Sequence, residues 1–182
     1  ERLRLLIVTG ENSYEHDWTG VNNTLRRQLQ ETGRFDVRVI EDFSSATPET
    51  LAPYKAVLLN YLGRWNYTDT DEKRWGATAE RALFDSVSNG GGVVVYHASF
   101  NMGSPSWPEF ERMAGGMMRP FHGSRRSPPN GFMVRVVDRA HPVTHGMREY
   151  FWTLNDDMYT NMKWDPEARV HVLATAHDSA AS

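Results

Sequence analysis

Gly90-Gly91-Gly92-Val93-Val94-Val95-Tyr96-His97-Ala98 is the stretch that decides the fold. Three glycines end one element, a short apolar run makes a buried strand, and a polar imidazole follows at once. Upstream, Asp71 to Asn89 reads as a long helix with Ala79, Leu83 and Val87 spaced four apart on its core face. Because the glycines precede the strand, they form a helix-to-strand turn. A phosphate-cradling loop would have to follow a strand and open a helix. The same alternation recurs towards the N-terminus. Leu3 to Thr9, Phe35 to Ile40 and Ala56 to Tyr61 read as strands. Thr19 to Thr32 reads as a helix facing inward through Val21, Leu25 and Leu29, and Thr47-Pro48 caps a helical turn over Ser44 to Tyr54. Strands alternating with helices predict a parallel sheet covered on both faces. Functional residues in such sheets gather at the carboxyl ends of the strands. Those ends are Thr9-Gly10, Asn60-Tyr61 and Tyr96-His97.

Beyond His97 the periodicity weakens. Trp107 to Gly115 reads as a short helix and Met117 to Asn130 as a Pro-, Gly- and Arg-rich loop. Phe132 to Val137 and Val170 to Ala174 read as strands, and His141-Pro142 starts a turn.

Composition narrows the function classes. With 182 residues, 40% hydrophobic and 24% charged, the chain can bury a proper core in one domain. Its net charge is -3 and its Lys/Arg runs stop at pairs such as Arg26-Arg27, so the basic stripe that nucleic acid needs is missing. No apolar run is long enough to span a bilayer. With no cysteine there is no disulfide, no thiolate nucleophile and no cysteine-bound zinc. Six Trp, seven Tyr and seven His are a generous supply of pocket-lining side chains. The start at Glu1 without Met leaves two compartments open: cytoplasmic, or periplasmic or secreted if a signal has been removed. Assembly into a homo-oligomer also stays open.

His97, at a strand exit and with a near-neutral titration range, is the first candidate for acid/base chemistry; the competing role is a structural hydrogen bond across the sheet end. His16 and Asp17 lie in the loop after the first strand, where Asp17 either orients an imidazole or caps the helix beginning near Trp18. Glu109 is a candidate partner for His97, or simply a carboxylate in a first helical turn. Trp107 either stacks on a ligand ring or staples a helix. Asn12, Trp18, Asn60, Tyr61, His122 and Asp157 complete the candidate binding set, with Trp65 and Tyr67 as further walls. His97, His122 and Glu109 together would suit a divalent metal such as zinc, although no compact ligand spacing supports it. Ser99, Ser104 and Ser106 do not form a Gly-x-Ser-x-Gly elbow.

A series of segments resembles the ThuA-like (trehalose-utilisation) family. They are Leu6-Ile7-Val8-Thr9-Gly10-Glu11-Asn12, His16-Asp17-Trp18, Leu58-Leu59-Asn60-Tyr61, the glycine-led strand into His97-Ala98, and Trp107-Pro108-Glu109-Phe110. The match continues through Asp138-Arg139-Ala140-His141-Pro142-Val143-Thr144-His145-Gly146-Met147, Asn155-Asp156-Asp157-Met158-Tyr159 and Val172-Leu173-Ala174-Thr175-Ala176. The resemblance implies a three-layer α/β/α sandwich with a doubly wound, mostly parallel sheet, flavodoxin-like and similar to class I glutamine amidotransferases. In those enzymes the nucleophilic cysteine sits on a tight turn after a central strand. Here that turn is Tyr96-His97-Ala98, so a glutaminase is not implied. The resemblance further implies one domain over residues 1–182 that lacks the family's C-terminal strands, and a small carbohydrate as substrate, either a disaccharide or a keto-glycoside. The expectation is histidine acid/base chemistry (isomerisation, elimination or hydrolysis) with His97, His16, Asp17 and Glu109 at its centre. The alternatives are a metal-dependent hydrolase and a non-catalytic sugar-binding module of a larger protein.

Overall fold

The computed structural model describes residues 1–11, 16–63, 74–102 and 106–177. The chain divides into two compact units, Glu1–Ala114 and Gly115–Ser182.

The first unit runs β1 (Leu3–Val8), α1 (Trp18–Glu31), β2 (Phe35–Ile40), α2 (Pro48–Leu51), β3 (Ala56–Leu59), α3 (Ala77–Ser88), β4 (Gly92–Val95), a 3-10 turn over His97–Asn101, and α4 (Pro108–Ala114). The four strands form one parallel sheet in the order β2-β1-β3-β4. Alternate side chains of a strand point to opposite faces. Leu5, Ile7, Val37 and Leu58 therefore make one buried cluster, closed by Leu25 and Leu29 of α1. Full burial of each such side chain stabilises by about 1.5–3 kcal/mol. Leu6, Val8, Val57 and Leu59 take the other face and are equally buried. Right-handed crossovers send α1 to one face and the α2 and α3 connections to the other. The buried Leu51, Ala79 and Leu83 sit on those two helices, which touch one another. This is the doubly wound α/β arrangement.

The helix expected over Asp71 to Asn89 is described from Ala77, where Gly76 (φ 94) precedes its first turn; residues 71–73 lie outside the described residues. Val87, expected in its core face, is half-buried in the last turn.

The second unit is built from short antiparallel pieces: β5 (Gly116–Met117), β6 (Arg125–Arg126), β7 (Met133–Val136), β8 (Tyr150–Trp152), β9 (Tyr159–Thr160), β10 (Lys163–Trp164) and β11 (Ala174–His177). They pair as β10-β5, β6-β9 and β11-β7-β8. The segment expected to be loop from Met117 to Asn130 thus carries β6 and a 3-10 turn at Pro120–His122. The strand expected over Val170 to Ala174 lies further on, at Ala174–His177. Leu173 instead spends its carbonyl on the amides of Val137 and Asp138, at 2.9 and 3.4 Å. Among the described residues no helix is long and apolar enough to cross a membrane.

The turn after β1 depends on Gly10, whose φ is 118 and whose missing Cβ would stand 1.8 Å from the carbonyl oxygen of Glu41. Gly33 shares the left-handed backbone (φ 70) but has open space around it. Gly10→Ala is expected to cost about 2–4 kcal/mol in urea unfolding, from strain plus a forced backbone shift. Gly33→Ala is expected to cost about 1–2 kcal/mol, from backbone strain alone. Equal losses would contradict the close approach at Gly10.

Candidate functional site

Three strand exits, those of β1, β3 and β4, share the carboxyl edge of the parallel sheet. The first two are joined by a closed ring of buried hydrogen bonds. The Thr9 hydroxyl donates to the Asn60 carbonyl at 2.9 Å, Asn22 Nδ2 donates to Thr9 Oγ1 at 2.9 Å, and Asn60 Nδ2 donates to Asn22 Oδ1 at 2.8 Å. All three residues are buried. Asn22 is the buried residue of α1, so the ring ties helix, first strand and third strand together. Each partner left alone in such a site would carry a desolvation cost of about 1–3 kcal/mol.

Ser99 makes the matching tie to β4. Its hydroxyl donates to the Leu59 carbonyl at 2.8 Å and accepts the Tyr61 amide at 2.9 Å. The Glu11 carbonyl accepts the amides of Leu62 and Gly63 at 3.0 and 3.3 Å.

On this frame His97 takes an unusual backbone. Its φ is 44, left-handed for a residue that carries a Cβ, immediately after β4. Such conformations cost about 1–3 kcal/mol and concentrate at functional turns. The consequence is that the ring meets His16 from the first loop. His16 Nε2 and His97 Nε2 lie 3.1 Å apart, with ring centroids 5.0 Å apart and planes at 62°. At that separation one nitrogen carries the hydrogen and the other accepts it, so the two rings hold complementary tautomers or share one added proton.

The remaining sequence candidates are dispersed. Asp17 caps α1, accepting the Gly20 amide at 2.9 Å, which was the structural alternative for it. Trp18 is the half-buried first residue of that helix. Asn60 is 4% exposed and its amide is committed to Asn22. Tyr61 is 6% exposed. Burial, and after it the charges of Glu11 and Asp42, push its phenol up to about 12, so it stays protonated.

Trp107, expected as a stacking platform, is 1% exposed. Phe110 stacks on its ring at 4.9 Å and the Arg74 guanidinium lies over it at 4.0 Å. It belongs to a buried aromatic chain with Trp75 and Phe84. Glu109 is exposed on α4 and lines a groove between α3 and α4, to which His97 does not contribute. Asn12, Trp65, Tyr67 and Ser104 lie outside the described residues.

In the second unit, His122 is exposed at the end of a 3-10 turn. Asp157 pairs with Arg126 at 3.4 Å. Burial first, then the Asp157 charge, raises the titration of Tyr159. His141 Nδ1 accepts the Val143 amide at 3.2 Å, closing the turn that its proline begins. Arg119, in the Arg-rich stretch beside His122, is fully buried and donates to the Met118 carbonyl at 3.3 Å. Among the described residues no group of three or more His, Asp or Glu side chains is gathered closely enough to hold a metal ion.

The family model for ThuA, described as trehalose utilisation, matches residues 4–182. The chain belongs to the ThuA family. Among solved structures, a ThuA-like protein from Parabacteroides merdae superposes with a TM-score of 0.82 at 25% identity, over 100% of this chain and 70% of that one. A second ThuA-like protein, from Bacteroides uniformis, gives 0.70 at 23% identity, over 95% of this chain and 67% of that one. A search of curated proteins gives no match. The ThuA description points to a carbohydrate-related role, and the ThuA fold brings His16 and His97 together at the sheet edge.

The strain at His97 has a measurable signature. His97→Gly and His97→Ala both lose the ring, but only alanine keeps the left-handed penalty. The glycine variant is expected to unfold in urea at a stability about 1 kcal/mol above the alanine variant. Equal midpoints would mean the backbone at 97 is unstrained.

Proposed function

We propose that this ThuA protein acts on a small carbohydrate, a disaccharide or keto-glycoside, by acid/base chemistry shared between His16 and His97. The observation that carries the reading is the 3.1 Å contact between their Nε2 atoms at a strained strand exit. An imidazole pair sharing one hydrogen presents a base and an acid at the same place, and proton transfer of this kind contributes about 10²–10⁴-fold to rate.

In a glycoside with a ketone two carbons from the anomeric centre, one ring removes the proton on the intervening carbon. That C–H electron pair becomes a C=C bond as the anomeric C–O bond breaks. The departing oxygen takes the proton carried by the other ring. Neither step calls for two carboxylates opposed across the bond, the arrangement on which ordinary glycoside hydrolysis relies. Tyr61, protonated at any physiological pH, is a neutral donor at the same strand edge. Asp17 acts by fixing the start of α1, one residue after His16.

A metal-dependent hydrolase is the second reading, and the same contact favours it. Zinc–imidazole bonds of about 2.0–2.1 Å place two ligand nitrogens on one ion little more than 3 Å apart. His16 and His97 would be the ligands, in place of the His97, His122 and Glu109 set.

The test is turnover of trehalose, sucrose and their 3-keto forms by the wild type, His16→Ala and His97→Ala, each chelator-treated and zinc-supplemented, with products read by mass spectrometry. The proposal expects metal-independent turnover of a keto-sugar that falls about 10²–10⁴-fold in either variant. Turnover appearing only with zinc would establish the hydrolase reading. Turnover that survives His97→Ala would remove the histidine pair from the chemistry. Binding without turnover in every arm would make the protein a sugar-binding module.

A further inference from the structure

Outside the histidine pair, the first unit holds a groove of about 450 Å³ between α3 and α4. That volume falls within the range of small-molecule clefts, about 300–1,000 Å³. Its floor is apolar: Phe84 and Val87 from α3, Met113 from α4, and Trp107 beneath them. Its charged lining is balanced, with Arg74, Arg81 and Arg112 against Glu80, Asp85 and Glu109. One of these pairs is internal. Arg74 is bound through two nitrogens to the Glu80 carboxylate while lying on the Trp107 ring, so it stiffens the wall.

The others face the groove in pairs. Arg81 and Asp85 are four apart on α3, and Glu109 and Arg112 three apart on α4, so each helix places one positive and one negative group along a single face. Among the described residues, the side chains of Arg81, Asp85 and Glu109 make no hydrogen bond or ion pair. In addition, the indole nitrogen of Trp107 is buried without a hydrogen-bond partner. Buried indole N–H groups ordinarily find one.

We infer that this groove is a second binding site, for a neutral polyhydroxylated ring: a saccharide held apart from the histidine pair. A lining with three positive and three negative groups gives no net attraction for an anion or a cation. Guanidinium donors and carboxylate acceptors lining one groove match the vicinal hydroxyls of a sugar, each of which both donates and accepts. The half-buried Phe84, Val87 and Met113 suit the C–H face of the same ring. The claim concerns binding in the groove and stands or falls separately from the chemistry at His16 and His97.

The experiment follows the indole N–H resonances of the ¹⁵N-labelled 182-residue chain during titration with trehalose, the Trp107 signal being assigned through Trp107→Phe. Expected is a saturable movement of the Trp107 signal in the wild type and equally in His97→Ala. In the surface double variant Arg81→Ala/Asp85→Ala it should weaken by about tenfold or more. The unchanged amide spectrum of that variant would show that it is folded. A Trp107 signal that stays still, or that moves undiminished in the double variant, overturns the site. Loss of the movement in His97→Ala would place all sugar binding at the histidines. Sulfate or free arginine reproducing the movement would show a charged occupant and overturn the neutral-ring assignment.

Discussion

The buried ring of hydrogen bonds among Thr9, Asn22 and Asn60 holds the carboxyl edge of the sheet in one shape. Hydrophobic burial alone would bring α1 against β1 and β3, but apolar contacts tolerate sliding. Three buried polar residues bonded to one another fix the depth and rotation of the helix against both strand exits. Ser99 extends the same logic to β4 through its bonds to Leu59 and Tyr61. The loops carrying His16 and His97 therefore leave from anchored points. A backbone as costly as φ 44 at His97 persists because the surrounding bonds determine it.

This arrangement separates two jobs that a reading of residue types alone runs together. Asn60, Tyr61 and Trp107 look like pocket walls, yet the structure spends Asn60 on the ring and Trp107 on the packing between α3 and α4. Aromatic pairs such as Trp107 with Phe110 add about 0.5–1.5 kcal/mol beyond their buried area. Left at the sheet edge are two imidazoles in contact and a protonated phenol.

The alternation of apolar strands with four-residue helical spacing makes the parallel sheet of the first unit readable from the chain, and the strand-end rule points to His97 and His16. The second unit is less legible because β5, β6, β9 and β10 are two residues long and too short to show any period. Asn22 is invisible for a different reason. It sits in a polar-looking stretch of α1, and its partners Thr9 and Asn60 stand 13 and 38 residues away. Glu109 follows His97 closely in sequence, but nothing in that spacing reveals that α4 turns it toward α3. Arg119 gives no sign of its burial, because a charged residue in a loop is ordinarily exposed.

The central claim is that His16 and His97 work as one unit on the sugar, and a double-mutant cycle on turnover tests it most directly. Groups that share a single proton transfer are strongly non-additive. The account predicts that His16→Ala/His97→Ala loses no more activity than the more damaging single change. Losses that multiply across the two substitutions would show that the rings act independently, and would contradict it.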